Sequence, residues 1–216
     1  MKKLVAIVMA FTFLLNANAQ NEKYVKAMEK LMPAVDTLWD ADGLKALSNS
    51  FERIADAEKT QWLPYYYAAL ARVNAGYSVM MATGSGGAAT DAEADKAEAL
   101  LAKAEALSPE NSDIYVVKKL ILTLRLIGDP MSRAMTYGPL AAEALSKAKA
   151  LDPTNPRVYL QEALDKYNTP EQWGGSKTEG KKMLEETVKK YEAFTPKSSI
   201  HPNWGLRSAK YFLSQP

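Results

Sequence analysis

The sequence has no cysteine and only one histidine, His201. The absence of cysteine excludes disulfides, thiol catalysis and cysteine-ligated metal ions. A zinc site needs several His, Cys or acidic ligands, and a Ser-His-Asp triad would depend on His201 without a Gly-x-Ser-x-Gly elbow. We therefore interpret His201 as structural and predict no catalytic residue, no metal site and no cofactor site.

Excess charge of one sign is also missing: 27 Lys and Arg stand against 25 Asp and Glu. Lys2 and Lys3 belong to the N-terminal leader described below, so the mature protein should be close to neutral. Nucleic acids and anionic membranes both require clustered Lys and Arg on the protein. We expect neither of them as a partner.

One apolar run, residues 4–15, follows the basic start and precedes the small-residue stretch that ends at Ala19. This order is typical of a secretory signal peptide, and the run is shorter than the roughly 20 residues that span a bilayer. We predict cleavage after Ala19, so that residues 1–19 are the signal peptide and residues 20–216 form one helical domain. With no cysteine to carry a lipid anchor and no membrane span after cleavage, the protein is predicted to be periplasmic or secreted.

A helical pattern recurs along the rest of the chain. Small or apolar residues at relative positions 0, +4, +7 and +10, which share one helix face, begin at residues 47, 97, 141 and 184. The starts are 50, 44 and 43 residues apart. A near-constant period in this range indicates an array of similar units, each of which buries its apolar face against its neighbours.

The copies that begin at residues 97 and 141 end in similar turns. Pro109 and Pro153 stop one helix, because proline lacks the amide donor. Asn111 and Asn155 are suitable N-caps for the next helix, and Pro156 suits its first position.

These residues resemble the tetratricopeptide repeat family over about residues 41 to 214. The third unit carries the resemblance most fully, at Ala141, Leu145, Ala148, Leu151, Asp152, Pro153, Tyr159 and Ala163. The unit here is longer than the family's, with the excess in loops. The resemblance implies an all-α, right-handed solenoid of about four helical hairpins, to which an opening helix near residues 22–38 is added. It also implies a concave groove that binds extended peptides or protein partners.

Three stretches rich in turn residues predict long irregular loops along one edge, at 82–90, 128–138 and 168–176. Thr90 and Ser176 are predicted to cap the helices that follow, each with a glutamate three residues on. The second loop contains Tyr137 and the third contains Trp173. We expect Trp173 to fold back onto the helices, because its large ring is costly to expose. The alternative is that it offers a stacking surface.

The densest aromatic cluster lies at Trp62, Tyr65, Tyr66 and Tyr67, with Arg72 seven residues after Tyr65 on the same helix face. Core packing explains most of such a cluster, and an aromatic floor to the groove is the functional alternative. The candidate partner-binding residues are Trp62, Tyr65, Tyr66, Arg72, Tyr137 and Trp173.

The sequence favours an exported, non-catalytic scaffold that binds a protein or peptide in its groove or along its loop edge. A periplasmic small-ligand or glycan-binding protein is the alternative, and a cell-wall glycan hydrolase is the third reading. The hydrolase would need two carboxylates facing each other across a cleft. Self-association through an exposed end face is a further option for so short an array.

Overall fold

The computed structural model describes residues 22–84 and 86–216. The predicted signal peptide, residues 1–19, lies outside the described residues. Within them the chain is all-helical and contains no strand. The helices are α1 (22–37), α2 (Ala41–Ala57), α3 (Trp62–Thr83), α4 (Ala88–Leu107), α5 (Ser112–Gly128), α6 (Pro130–Leu151), α7 (Pro156–Asn168), α8 (Lys177–Ala193) and α9 (Leu206–Ser214), with a 3-10 turn at Glu171–Trp173.

The predicted helix starts are confirmed at three places. The side chain of Asn111 accepts a hydrogen bond from the amide of Asp113, and that of Asn155 accepts one from Arg157. Ser176 accepts a bond from the amide of Glu179. Each bond satisfies an amide that has no partner inside its own helix.

Two of the three predicted loops are wrong. Residues 128–138 are almost wholly helical, because Asp129 accepts a bond from the amide of Ser132 and Pro130 occupies the first turn of α6. The loop at 82–90 is shorter than predicted, since α4 starts at Ala88 after Gly87, and Thr90 lies inside the helix rather than at its cap. The loop at 168–176 is present.

The helices pack in chain order as two layers, which confirms the all-α solenoid. The odd-numbered helices form the inner layer, in which α3 contacts α5 and α5 contacts α7. The even-numbered helices cover them from outside, and α3 with α4 and α5 with α6 are the most extensively packed pairs. Gly76 permits the close approach of α3 to α5, because a Cβ there would lie 2.4 Å from Leu124 Cδ2.

The ends of the inner layer meet each other. The amide of Gly205, just before α9, donates to the Asp36 carboxylate of α1 at 3.2 Å. The rings of Trp39, which follows α1, and Tyr211 of α9 lie 6.2 Å apart between centroids. The solenoid therefore turns tightly enough for its last inner helix to touch its first.

Candidate functional site

The inner groove holds a stretch of the chain itself. Residues 194–205, here called the closing segment, run between α8 and α9 along the inner layer. The hydroxyl of Tyr67 on α3 donates to the carbonyl of Ile200 at 3.4 Å. The indole nitrogen of Trp204 donates to the hydroxyl of Tyr66 at 2.7 Å. The surface that the sequence suggested as a peptide groove is thus covered by the protein's own backbone and by the Trp204 ring.

Arg157 of α7 anchors the closing segment. Its side chain is only 2% exposed, and its Nη1 donates to the carbonyl of Pro202 at 2.8 Å. Its Nε donates to Asp113 at 2.7 Å, and its guanidinium lies 4.9 Å from the centre of the Phe194 ring. A buried guanidinium with a carboxylate, a carbonyl and a ring as partners fixes the position of the segment.

The tyrosines beneath the closing segment are held in their neutral form. Burial raises the pKa of Tyr66 and of Tyr67 well above the ordinary tyrosine value. Tyr191 of α8 is buried in the same region, and its hydroxyl has no hydrogen-bond partner among the described residues. These neutral phenols line an aromatic core and offer no nucleophile or base near neutral pH.

His201 lies in the closing segment rather than among metal ligands. Its Nδ1 lies 2.7 Å from the hydroxyl of Ser198, and its ring contacts Trp62 edge-on at 6.2 Å. Burial lowers its pKa, with a further contribution from Lys197, so that the neutral ring is favoured. Over residues 22–84 and 86–216 no group of three or more His, Cys, Asp or Glu side chains is placed to hold a metal ion.

The predicted aromatic cluster is divided between two surfaces. Trp62 and Tyr66 contact each other at 5.4 Å on the groove side, where Tyr66 is fully buried. Tyr65 and Arg72 share a face, as predicted, but that face packs towards α4. There the ring of Tyr65 lies beneath the ammonium of Lys103, and Arg72 pairs with Glu93 at 3.2 Å. Partner binding by these residues stays a prediction.

The two loop aromatics also lie apart. Tyr137 is half-buried within α6. Trp173 lies in the 3-10 turn and is 72% exposed, so the expectation that it folds back is wrong. Gly174, which follows with φ 87°, ends the 3-10 turn in the left-handed conformation that glycine adopts readily.

Sequence reasoning missed another pair of exposed aromatic side chains, at the contact between the ends of the described chain where α1 and α9 meet. Trp39 is 55% exposed and Tyr211 is 46% exposed, although their rings are neighbours. The α9 residues that share the exposed face with Tyr211 include Arg207 and Lys210, at helical spacing. The pattern at 207, 210 and 211 is visible in the sequence, but its proximity to Trp39 depends on closure of the solenoid. We call Trp39, Arg207, Lys210 and Tyr211 the seam.

A further groove of about 330 Å³ lies on the outside between α7 and α8. Its walls include Tyr159, Met183 and Lys190, and the ammonium of Lys190 covers the Tyr159 ring at 4.0 Å. Most of its other side chains are charged, and Glu162 pairs with Lys149 at 2.8 Å. The groove therefore combines an aromatic ring and a methionine with charged side chains.

The fold is similar to that of the HusA haemophore from Porphyromonas gingivalis. The two chains are 29% identical, and the similarity covers 88% of this chain and 90% of that one with a TM-score of 0.75. No protein-family model and no curated protein matches the chain, so the tetratricopeptide resemblance stays a prediction. Among the described helices, none is both long and apolar enough to cross a membrane.

Proposed function

We propose that this protein is an exported, non-catalytic carrier of haem or of a closely related planar ligand. The observation that carries the proposal is the similarity to the HusA haemophore, which extends over 88% of the chain. The signal-like sequence at residues 1–19 supports export. The alternative small-ligand reading therefore takes precedence over the peptide scaffold, because residues 194–205 occupy the groove that a peptide would need.

The architecture suits a carrier rather than a catalyst. Haem offers a wide, flat apolar surface with two propionates, and exposed aromatic rings beside cations complement both features. More than half of the acids of the described chain form ion pairs with lysine or arginine, such as Glu93 with Arg72 and Asp113 with Arg157. These acids are not offered as a facing pair for glycan hydrolysis.

The test is a haem titration of purified protein beginning at residue 20, followed by absorption at the Soret band. We expect a saturable difference spectrum at one haem per chain. At a free haem concentration of about 100 times Kd, binding should add about 2.7 kcal/mol of stability, which corresponds to a rise in Tm of roughly 5 to 11 °C. Metal-free protoporphyrin IX in parallel separates binding of the ring from coordination of iron. A linear, unsaturable signal without thermal stabilisation would contradict the proposal.

A further inference from the structure

The two exposed aromatic side chains of the seam are attached to the inner helices of the solenoid. The carbonyl of Trp39 accepts a hydrogen bond from the hydroxyl of Ser78 on α3 at 2.6 Å, which ties the residue after α1 to the inner layer. Tyr211 contacts Phe212 at 5.4 Å, and Phe212 contacts Tyr167 of α7 at the same distance. Two aromatic residues that are about half exposed thus lie next to each other, and contacts with partly buried residues of the inner layer hold them in place.

The exposed face of α9 is cationic as well as aromatic. Arg207, Lys210, Tyr211 and Ser214 follow helical spacing and are all exposed. Within the described part of the chain, neither Arg207 nor Lys210 forms a salt bridge, and α9 carries no acid. Arg207 interacts electrostatically with Asp36, whose carboxylate also accepts the amide of Gly205, but the two side chains are too far apart for a direct ion pair.

The acids nearest to Trp39 in sequence are similarly engaged. Asp40 caps α2 by accepting the amide of Gly43 at 2.6 Å, and Asp42 lies 3.7 Å from Lys45. The cations of α9 therefore have capacity for carboxylates supplied from outside.

From this arrangement we infer that the seam is the docking site for a flat conjugated ring that carries carboxylates. Because the planes of Trp39 and Tyr211 are tilted by 49°, the flat ring stacks on one of them and contacts the other at an angle. Its carboxylates pair with Arg207 and Lys210. The inference rests on the proposed function, since haem and protoporphyrin IX have this chemistry. It adds the location of the site and the requirement for carboxylates.

The other exposed apolar side chains lack one part of this combination. Met131 and Met135 project from one face of α6, but the neighbouring Arg133 is engaged by Asp91 at 2.6 Å. Trp173 lies in the 3-10 turn, and no second aromatic ring of the described chain packs against it. The seam joins two rings with two available cations.

The first experiment measures haem affinity for Trp39→Ala and Tyr211→Ala, with Met131→Ala as the control, because Met131 is an exposed apolar side chain away from the seam. Circular dichroism and Tm confirm that each variant folds. Loss of a stacking ring should weaken binding by about tenfold, which is roughly 1.4 kcal/mol, whereas the control should change Kd by less than about twofold. If both seam variants bind haem as tightly as wild type does, the seam is not the haem site, and the proposed function stands. If wild type binds no haem, the proposed function and the docking site at the seam are both wrong.

The second experiment tests the carboxylates with Arg207→Gln and Lys210→Gln, and uses Lys59→Gln as an exposed lysine control. Protoporphyrin IX and its dimethyl ester serve as probes in the same detergent-containing buffer. Each seam variant should bind the free acid roughly two- to fivefold more weakly and the ester unchanged, and added salt should reduce the difference. Equal losses for acid and ester, or no loss for either, would overturn the pairing with carboxylates.

Discussion

Replacing Arg157 with methionine should destabilise the protein strongly through the closing segment. Methionine fills similar space but leaves the Pro202 carbonyl without its donor and Asp113 without its cation. Removing one member of a buried ion pair costs about 3–5 kcal/mol. Asp113 keeps a bond of 2.9 Å from Asn155, and its side chain is 17% exposed. We therefore expect a loss of about 2–4 kcal/mol, which lowers Tm by roughly 4 to 16 °C.

The assay is urea unfolding of wild type and Arg157→Met, followed by circular dichroism and by tryptophan fluorescence. Lys189→Met is the control, because Lys189 pairs with Glu186 at 2.8 Å in an exposed position. That change should cost less than about 0.5 kcal/mol. A loss for Arg157→Met no larger than that of the control would refute the idea that this residue anchors the segment.

Three further predictions concern the packing of the same structure. Trp204→Phe removes the donor to the buried Tyr66 hydroxyl and should cost about 1–2 kcal/mol in urea unfolding, and adding Tyr66→Phe should recover part of it; fully additive losses would contradict the hydrogen bond. Gly175→Ala places a Cβ 1.7 Å from the carbonyl oxygen of Thr169 and should lower Tm, whereas Gly138→Ala, with 3.7 Å to its nearest neighbour inside α6, should raise it slightly. Burial raises the pKa of Tyr67 above that of tyrosine in the unfolded chain, which titrates near pH 10. The contribution of neutral Tyr67 to stability is therefore complete below about pH 10 and is lost as the pH rises further. Denaturant midpoints measured from about pH 8 to about pH 11 should fall less steeply for Tyr67→Phe than for wild type.

Local signals made most of the fold predictable. Asn111, Asn155 and Ser176 cap helices as their chemistry requires. The prediction of a loop at 128–138 was wrong because Asp129 and Pro130 begin a helix as readily as they form a turn. Composition alone does not distinguish the two outcomes.

The candidate site depended on contacts between residues far apart in sequence. The sequence alone suggests that Tyr66 is available to a groove. In the structure its hydroxyl accepts a hydrogen bond from Trp204, which is 138 positions later in the chain. Trp39 and Tyr211 belong to opposite ends of the described chain, and no periodic pattern links them. The pitch of the solenoid decides both cases, and that pitch results from the packing of all its helices.

The most direct test of the account is the native mass of the protein after export. The full chain, including the predicted signal peptide at residues 1–19, is produced in a secreting bacterial host supplied with haem and is purified without denaturation. The account predicts a chain that begins at Gln20 and carries the added mass of one haem. A folded, exported chain with no bound tetrapyrrole, or one that retains residues 1–19, would contradict it.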